Sequence, residues 1–246
     1  MMLVILMFCV VSVLGSQLPP GVKLCRRSDS ELSSCLATNI ADGIQLFTRG
    51  NKDLDVPVLE PFVVEKIEIE GQATSSTSLI QKYENIRMYG IADGVRITNM
   101  KIDIDKGCSW EFDAFSPVVT MEADYTIKGQ VVVFPINSHG KCNITLNNLM
   151  NKNSMTCEKY VKNDKTYIKL TNYTMNMKPE KISFYFGNIF PEDERISAEV
   201  LKTLNENSLD IFNEVKPGFE RAISFIYMNV ANKVFSKIPI DDIFLE

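Results

Sequence analysis

Histidine and tryptophan are almost missing from this chain, which holds one of each, His139 and Trp110, in 246 residues. With a single imidazole and no Cys-x-x-Cys spacing, a zinc site lacks its ligand set, and no metal is expected. No G-x-S-x-G elbow occurs, and Ser138 and His139 are adjacent in a glycine-containing stretch, where neighbouring side chains cannot form a triad by themselves. An enzyme is not expected, and nothing calls for a cofactor. Basic residues are in deficit, 26 Lys and Arg against 31 Asp and Glu. That balance leaves no cationic stripe for phosphates, so nucleic acid is excluded as a partner. Long uncharged apolar runs are absent too. Residues 1–15 are too short to span a bilayer, and Glu220, Arg221 and Lys233 interrupt the apolar segment near the C-terminus. Stable membrane insertion is not expected.

The uncharged opening "MMLVILMFCVVSVLG" reaches small residues at Gly15 and Ser16, the pattern of a secretory signal peptide over 1–15. The mature chain, 16–246, is then secreted and of a length compatible with one domain. Of six cysteines, Cys9 leaves with the leader. Cys25 in a proline-rich arm and Cys35 in the helix that follows are expected to pair in an oxidising compartment. Cys142 and Cys157 bracket "NITLNNLMNKNSMT", which resembles a hairpin tip, and their pairing would leave Cys108 over; Cys108 with either of them is the alternative. The sequons at Asn143 and Asn172 fit a secreted glycoprotein.

A first helix is expected from "SDSE", where Ser28 and Glu31 have capping-box spacing, along Leu32, Cys35, Leu36, Ile40, Ile44 and Phe47 to a stop at Gly50. From about 62 to 186 the chain alternates with period two. Val119, Met121, Ala123, Tyr125 and Ile127 face one way, and Thr120, Glu122, Asp124, Thr126 and Lys128 the other. Turns are expected at Ser116-Pro117, "NSHGK" and "NDK", while Asp93-Gly94 reads either as a turn or as a bulge in one long strand. No βαβ crossover intervenes, so the pattern is an antiparallel meander with one apolar face. Asp103, Asp105 and Glu192 to Glu194 read as solvated strand and helix-terminal charges.

After "PEDERI" an apolar stripe runs from Ile196 to Val234 and widens beyond Phe219 to nearly the whole circumference. Such a helix must be enclosed on most sides. A continuous helix over 192–236 would extend roughly 65 Å, with a bend at Pro217, where the bond to the Asn213 carbonyl is lost. A long bent sheet with one apolar face and a long helix needing cover combine most simply if the sheet wraps the helix.

Over essentially the whole mature chain the residues resemble the insect takeout-like and haemolymph juvenile-hormone-binding proteins. The likeness lies in "LPPGVKLCRRSD", "VPVLEPF", "MEADYTIKGQVVVFPI", "CNITLNNL", "LNENSLDIFNEVKP" and "FSKIPIDDIFLE". The resemblance implies an elongated α+β fold in which a highly curved antiparallel sheet wraps a long C-terminal helix around an apolar tunnel. It also matches Cys25 and Cys35 to an N-terminal disulfide. The implied role is a carrier of a terpenoid or fatty-acyl-like ligand. Residues placed in such a tunnel are Trp110, Phe112, Val119, Met121, Tyr125 and Val133 on the strands. From the helix come Phe212, Phe219, Ile223, Ile226, Tyr227 and Val230. The adaptable thioethers, Met121 and Met228, and the polar tips of Trp110, Tyr125 and Tyr227 are the features that suit an apolar ligand with one oxygen function. Ser208 and Ile240 stand where the family favours aromatic residues, positions expected to shape the ends of the tunnel. A monomer is expected. The alternative is a secreted protein that acts on a protein receptor through its surface, its apolar interior being structural.

Overall fold

The computed structural model describes residues 18–70, 77–131 and 134–245; the leader and Val133 lie outside them. The first helix, α1, spans Leu32–Leu46. It starts without the expected capping box, because Asp29 Oδ1 takes the Glu31 N–H at 2.9 Å instead. It ends at Phe47, and Gly50 serves the following turn, where its left-handed backbone lets Val56 approach.

Seven strands form one antiparallel sheet. They are β2 (Phe62–Glu70), β3 (Thr77–Tyr89), β4 (Arg96–Asp103), β5 (Ser109–Val131), β6 (Phe134–Lys162), β7 (Lys165–Lys178) and β8 (Lys181–Phe186). β5 and β6 are paired over almost their whole length. Both β3 and β4 pair with the same edge of β5, and β7 and β8 with the same edge of β6. Asp93-Gly94 is therefore a detour in one interrupted strand, the second of its two readings. Glu60 fixes that detour, its carboxylate accepting the N–H groups of Gly90 at 2.9 Å and Ala92 at 2.8 Å. Gly90 has φ +75°, and a Cβ there would lie 2.0 Å from the Val118 carbonyl oxygen.

Two expected turns are strand interior. Ser116-Pro117 lies within β5 and "NSHGK" within β6, because cross-strand pairing overrides local turn preference. Only "NDK" reverses the chain, with Asn163 and Asp164 both at positive φ, the backbone of a two-residue hairpin. The segment between Cys142 and Cys157 is likewise continuous strand rather than a hairpin tip. Fifteen residues of strand, a contour of about 50 Å, separate those two thiols. The proposed Cys142–Cys157 pair is thus replaced by Cys108–Cys157, joining the start of β5 to the paired stretch of β6, and Cys142 is a buried free thiol. Cys25 and Cys35 are bonded to each other. A two-residue strand, β1 (Cys25–Arg26), runs parallel to β9 (Phe244–Leu245), tying the N-terminal arm to the C-terminal tail.

The C-terminal helix is two helices, α2 (Glu194–Glu206) and α3 (Ser208–Phe235), separated at Asn207 and not at Pro217. Pro217 and Asn213 are both exposed. The carbonyl that loses its intrahelical donor therefore lies where water reaches it, and the helical backbone persists. Helix α3 packs on β7, β8 and β2, so both edges of the sheet end on it. On the β2 side, Gly218 is so close that a Cβ would lie 2.3 Å from Ile69 Cγ2. On the other side, side chains clamp the open edge. Asn232 accepts from Leu170 N–H at 2.7 Å and donates to its carbonyl at 3.1 Å. Glu220 accepts from Met177 N–H at 2.7 Å. Asn205 of α2 accepts from Phe184 N–H at 2.8 Å and donates to its carbonyl at 2.9 Å. These bonds supply the partners a free sheet edge lacks. The enclosure of α3 stops at the outer side, where Phe225 is 61% exposed.

Candidate functional site

The concave face of the sheet and α3 do not fill the space between them. A cavity of about 400 Å³ remains at the end nearer α2, within the size range of small-molecule sites. Its existence follows from the strand pattern. The inward residues of β5 (Val119, Met121, Tyr125 and Ile127) face Ile144 and Leu146 of β6, and the helices contribute Leu204, Phe212, Phe219 and Ile223. Met177 and Phe184, whose backbones are clamped by Glu220 and Asn205, form part of the same wall. Val200 and Leu204 come from α2, a helix with no fully buried residue, so this part of the wall is thin.

Polar groups are few. Gln81, Tyr83, Tyr125, Ser138 and Glu214 are the polar members of the lining among the described residues. The first four cluster through strand register: Gln81, Ile127 and Ser138 stand in one row across β3, β5 and β6, and Tyr83 and Tyr125 in the next. Tyr83 donates to Gln81 Oε1 at 2.9 Å, and Tyr125 donates to the Gly187 carbonyl at 2.9 Å. Tyr125 Oη also lies 2.7 Å from Ser138 Oγ. Burial holds the Tyr83 phenol far above its ordinary range and raises that of Tyr125. Cys142, buried on the neighbouring stretch of β6, has its thiol pushed up to about 12 by the same cause. It is a protonated core residue beside the lining, with no thiolate character.

Of the residues singled out in the sequence, Val119, Met121, Tyr125, Phe212, Phe219 and Ile223 line the cavity. Others lie in the packed remainder. Trp110 stacks on Phe235 at 5.9 Å, and Phe112 packs beside α1 with Ile97 and Met100. Tyr227 meets Phe62 edge-on at 6.2 Å; Ile226 packs against the main core, and Val230 reaches both that core and the Ile238 cluster. Ser208 and Ile240 are buried off the cavity wall. Sequence reasoning passed over Gln81 and Ser138, whose signal was a polar residue on the inward side of an alternating strand. It also passed over Val200 and Leu204, set in a stripe that periodicity could not divide between packing and lining. Among the described residues, no cluster of His, Cys, Asp and Glu could hold a metal, and no helix is long and apolar enough to cross a membrane.

A family model described as haemolymph juvenile hormone binding protein matches residues 3–245. The chain belongs to that family. Members of the juvenile hormone binding protein family are binding proteins, and the chain is accordingly not an enzyme. Similar curated proteins are the circadian clock-controlled proteins daywake of Drosophila yakuba and Drosophila melanogaster. Each is 24% identical over 231 residues, covering 92% of this chain and 88% of the relative. The fold is similar to that in the crystal structure of Takeout 1 from Epiphyas postvittana, with TM-score 0.78 at 22% identity over 92% of this chain and 100% of that one. Within the family fold the sheet is a wrap and not a closed barrel, since its edges meet α3 and not each other.

Proposed function

We propose that this protein is a secreted carrier of a small hydrophobic ligand, of the juvenile-hormone-like terpenoid or fatty-acyl-like lipid class, held between α3 and the concave face of the sheet. The observation that carries the reading is the 400 Å³ cavity, whose wall is aliphatic, aromatic and thioether apart from one polar cluster and Glu214. Desolvation drives binding at roughly 25 cal/mol per Å² of apolar surface buried. Contact residues are Val119, Met121, Tyr125, Phe212, Phe219 and Ile223. The unit is a monomeric single domain, 16–246, released from a signal peptide at 1–15. Two disulfides suit an oxidising compartment.

Native mass spectrometry of protein purified from a secreting cell, followed by organic extraction, tests this reading. The expected result is a mass excess that extraction recovers as an apolar molecule. Met121→Trp, which fills part of the cavity, lowers uptake of a hydrophobic probe while the far-ultraviolet spectrum is retained. A ligand-free mass together with no uptake of terpenoid or fatty-acyl probes refutes the carrier and favours a protein that acts on a receptor through its surface.

A further inference from the structure

The charge and hydrogen-bond inventory of the cavity restricts what its occupant can be. No Lys, Arg or His lines it among the described residues. The sequences of 71–76 and 132–133, GQATSS and VV, contain no Lys, Arg or His. Arg195 lies in a separate shallow groove on α2. The one acidic residue of the lining among the described residues is Glu214, which is exposed. A carboxylate in this space would lose its hydration, gain no counter-ion from the described lining and share the lining with an acidic side chain.

Hydrogen-bond donors are also spoken for. The Tyr83 proton is given to Gln81 and the Tyr125 proton to the Gly187 carbonyl. Since Tyr125 has one proton and a carbonyl has none, the 2.7 Å contact between Tyr125 Oη and Ser138 Oγ requires Ser138 to donate. All three hydroxyl protons therefore point at protein acceptors. What the cluster turns toward a ligand is mainly lone pairs, on Tyr83 Oη and Ser138 Oγ, with the Gln81 amide the only side-chain N–H group in it. Such a surface suits a group that donates a proton and suits an anion poorly.

We propose that the carrier is selective for uncharged hydroxyl-bearing lipids, long-chain or terpenoid alcohols, against the corresponding carboxylates. The selectivity comes from the acceptor-rich Gln81, Tyr83, Tyr125 and Ser138 cluster, the absence of a cation from the described lining, and the exposed Glu214. This rests on the carrier reading above. The test is displacement of a neutral fluorescent probe, N-phenyl-1-naphthylamine, from the full mature chain by matched pairs: farnesol with farnesoic acid, and dodecanol with dodecanoic acid. At pH 8 each alcohol should bind about tenfold or more tighter than its acid, a gap typical of an unpaired buried polar group. The gap should narrow at pH 4, where the free acid is mostly protonated. Glu214→Lys, at an exposed position, should narrow the alcohol-over-acid ratio at pH 8 by about threefold or more. Acids that bind at pH 8 as tightly as their alcohols overturn the selectivity while leaving the carrier intact. Failure of the probe and of every alcohol to bind overturns the carrier and the selectivity together.

Discussion

Replacing Asn205 by Leu removes a clamp that is both structural and adjacent to the cavity. The amide accepts from Phe184 N–H and donates to Phe184 C=O, at 2.8 and 2.9 Å, and also donates to the Leu201 carbonyl at 2.9 Å. Leucine is nearly isosteric, so little packing is lost. Each of the two bonds to Phe184 contributes about 1 kcal/mol net, and a strand-edge group left without a partner costs up to about 1–3 kcal/mol more where it is buried. Phe184 itself is buried, while its bonds to Asn205 are only part-buried, which puts the sum at about 2–4 kcal/mol. With a urea m-value of about 2 kcal/mol/M, the midpoint falls by about 1–2 M. Equilibrium urea unfolding followed by far-ultraviolet circular dichroism measures it. Because the Phe184 and Leu204 side chains line the cavity, probe dissociation followed by stopped flow should also accelerate. Asn207→Ala, which removes only an exposed bond to the Thr203 carbonyl, should cost below about 1 kcal/mol. A loss for Asn205→Leu under about 0.5 kcal/mol, or one equal to that of Asn207→Ala, would refute the edge-clamp account.

Gly218→Ala should destabilise by about 1–3 kcal/mol, since its methyl would meet Ile69; Ile69→Ala on that background should recover part of the loss, and strict additivity in the double-mutant cycle would count against the close approach. Alkaline pH should also destabilise the fold. Cys142 titrates at its ordinary 9.0 in the unfolded chain but at about 12 when folded, so its contribution is complete below pH 9 and is lost as pH rises from there toward 12. The buried phenols of Tyr83 and Tyr173 act in the same direction. Urea midpoints between pH 7 and 11 should fall, less steeply for Cys142→Ala, and a flat profile would contradict the burial. Of the sequons, Asn172 is exposed on β7, whereas Asn143 is half-buried and its Oδ1 accepts from Thr145 at 3.1 Å. Removal of N-glycans should therefore shift the mass of wild type but not of Asn172→Gln; an unchanged shift in that variant would move the glycan to Asn143.

The 118–128 strand was legible because alternation of apolar and polar residues directly encodes two faces. Asn205, Glu220 and Asn232 were harder to interpret, since a polar residue on a helix usually meets water, and only the tertiary arrangement places an open strand edge beside them. Strand length was misread at "NSHGK" and across Cys142 to Cys157 for a related reason: Gly, Asn and Ser prefer turns in isolation, yet β5 supplies partners to their backbones along the full length. The break at Asn207 had no Gly or Pro to announce it, while Pro217, where a bend is expected, lies within the continuous α3. The cavity was the least legible, because Val119, Met121 and Phe219 would show identical periodicity around a filled interior and a hollow one.

The clamps at Phe184, Met177 and Leu170 also set a length rule. Asn205, Glu220 and Asn232 are separated by 15 and 12 residues of the helical segment, about 22 and 18 Å of rise, while their partners are each seven residues apart along β7 and β8, about 23 Å. Helix and strand thus behave as two rulers of different graduation pinned at three marks. One residue gained or lost between marks would misalign every clamp beyond it, so length changes in the β7–β8 edge and in the helices must arise together or fail, whereas the "NDK" tip, beyond the last mark, is free to vary.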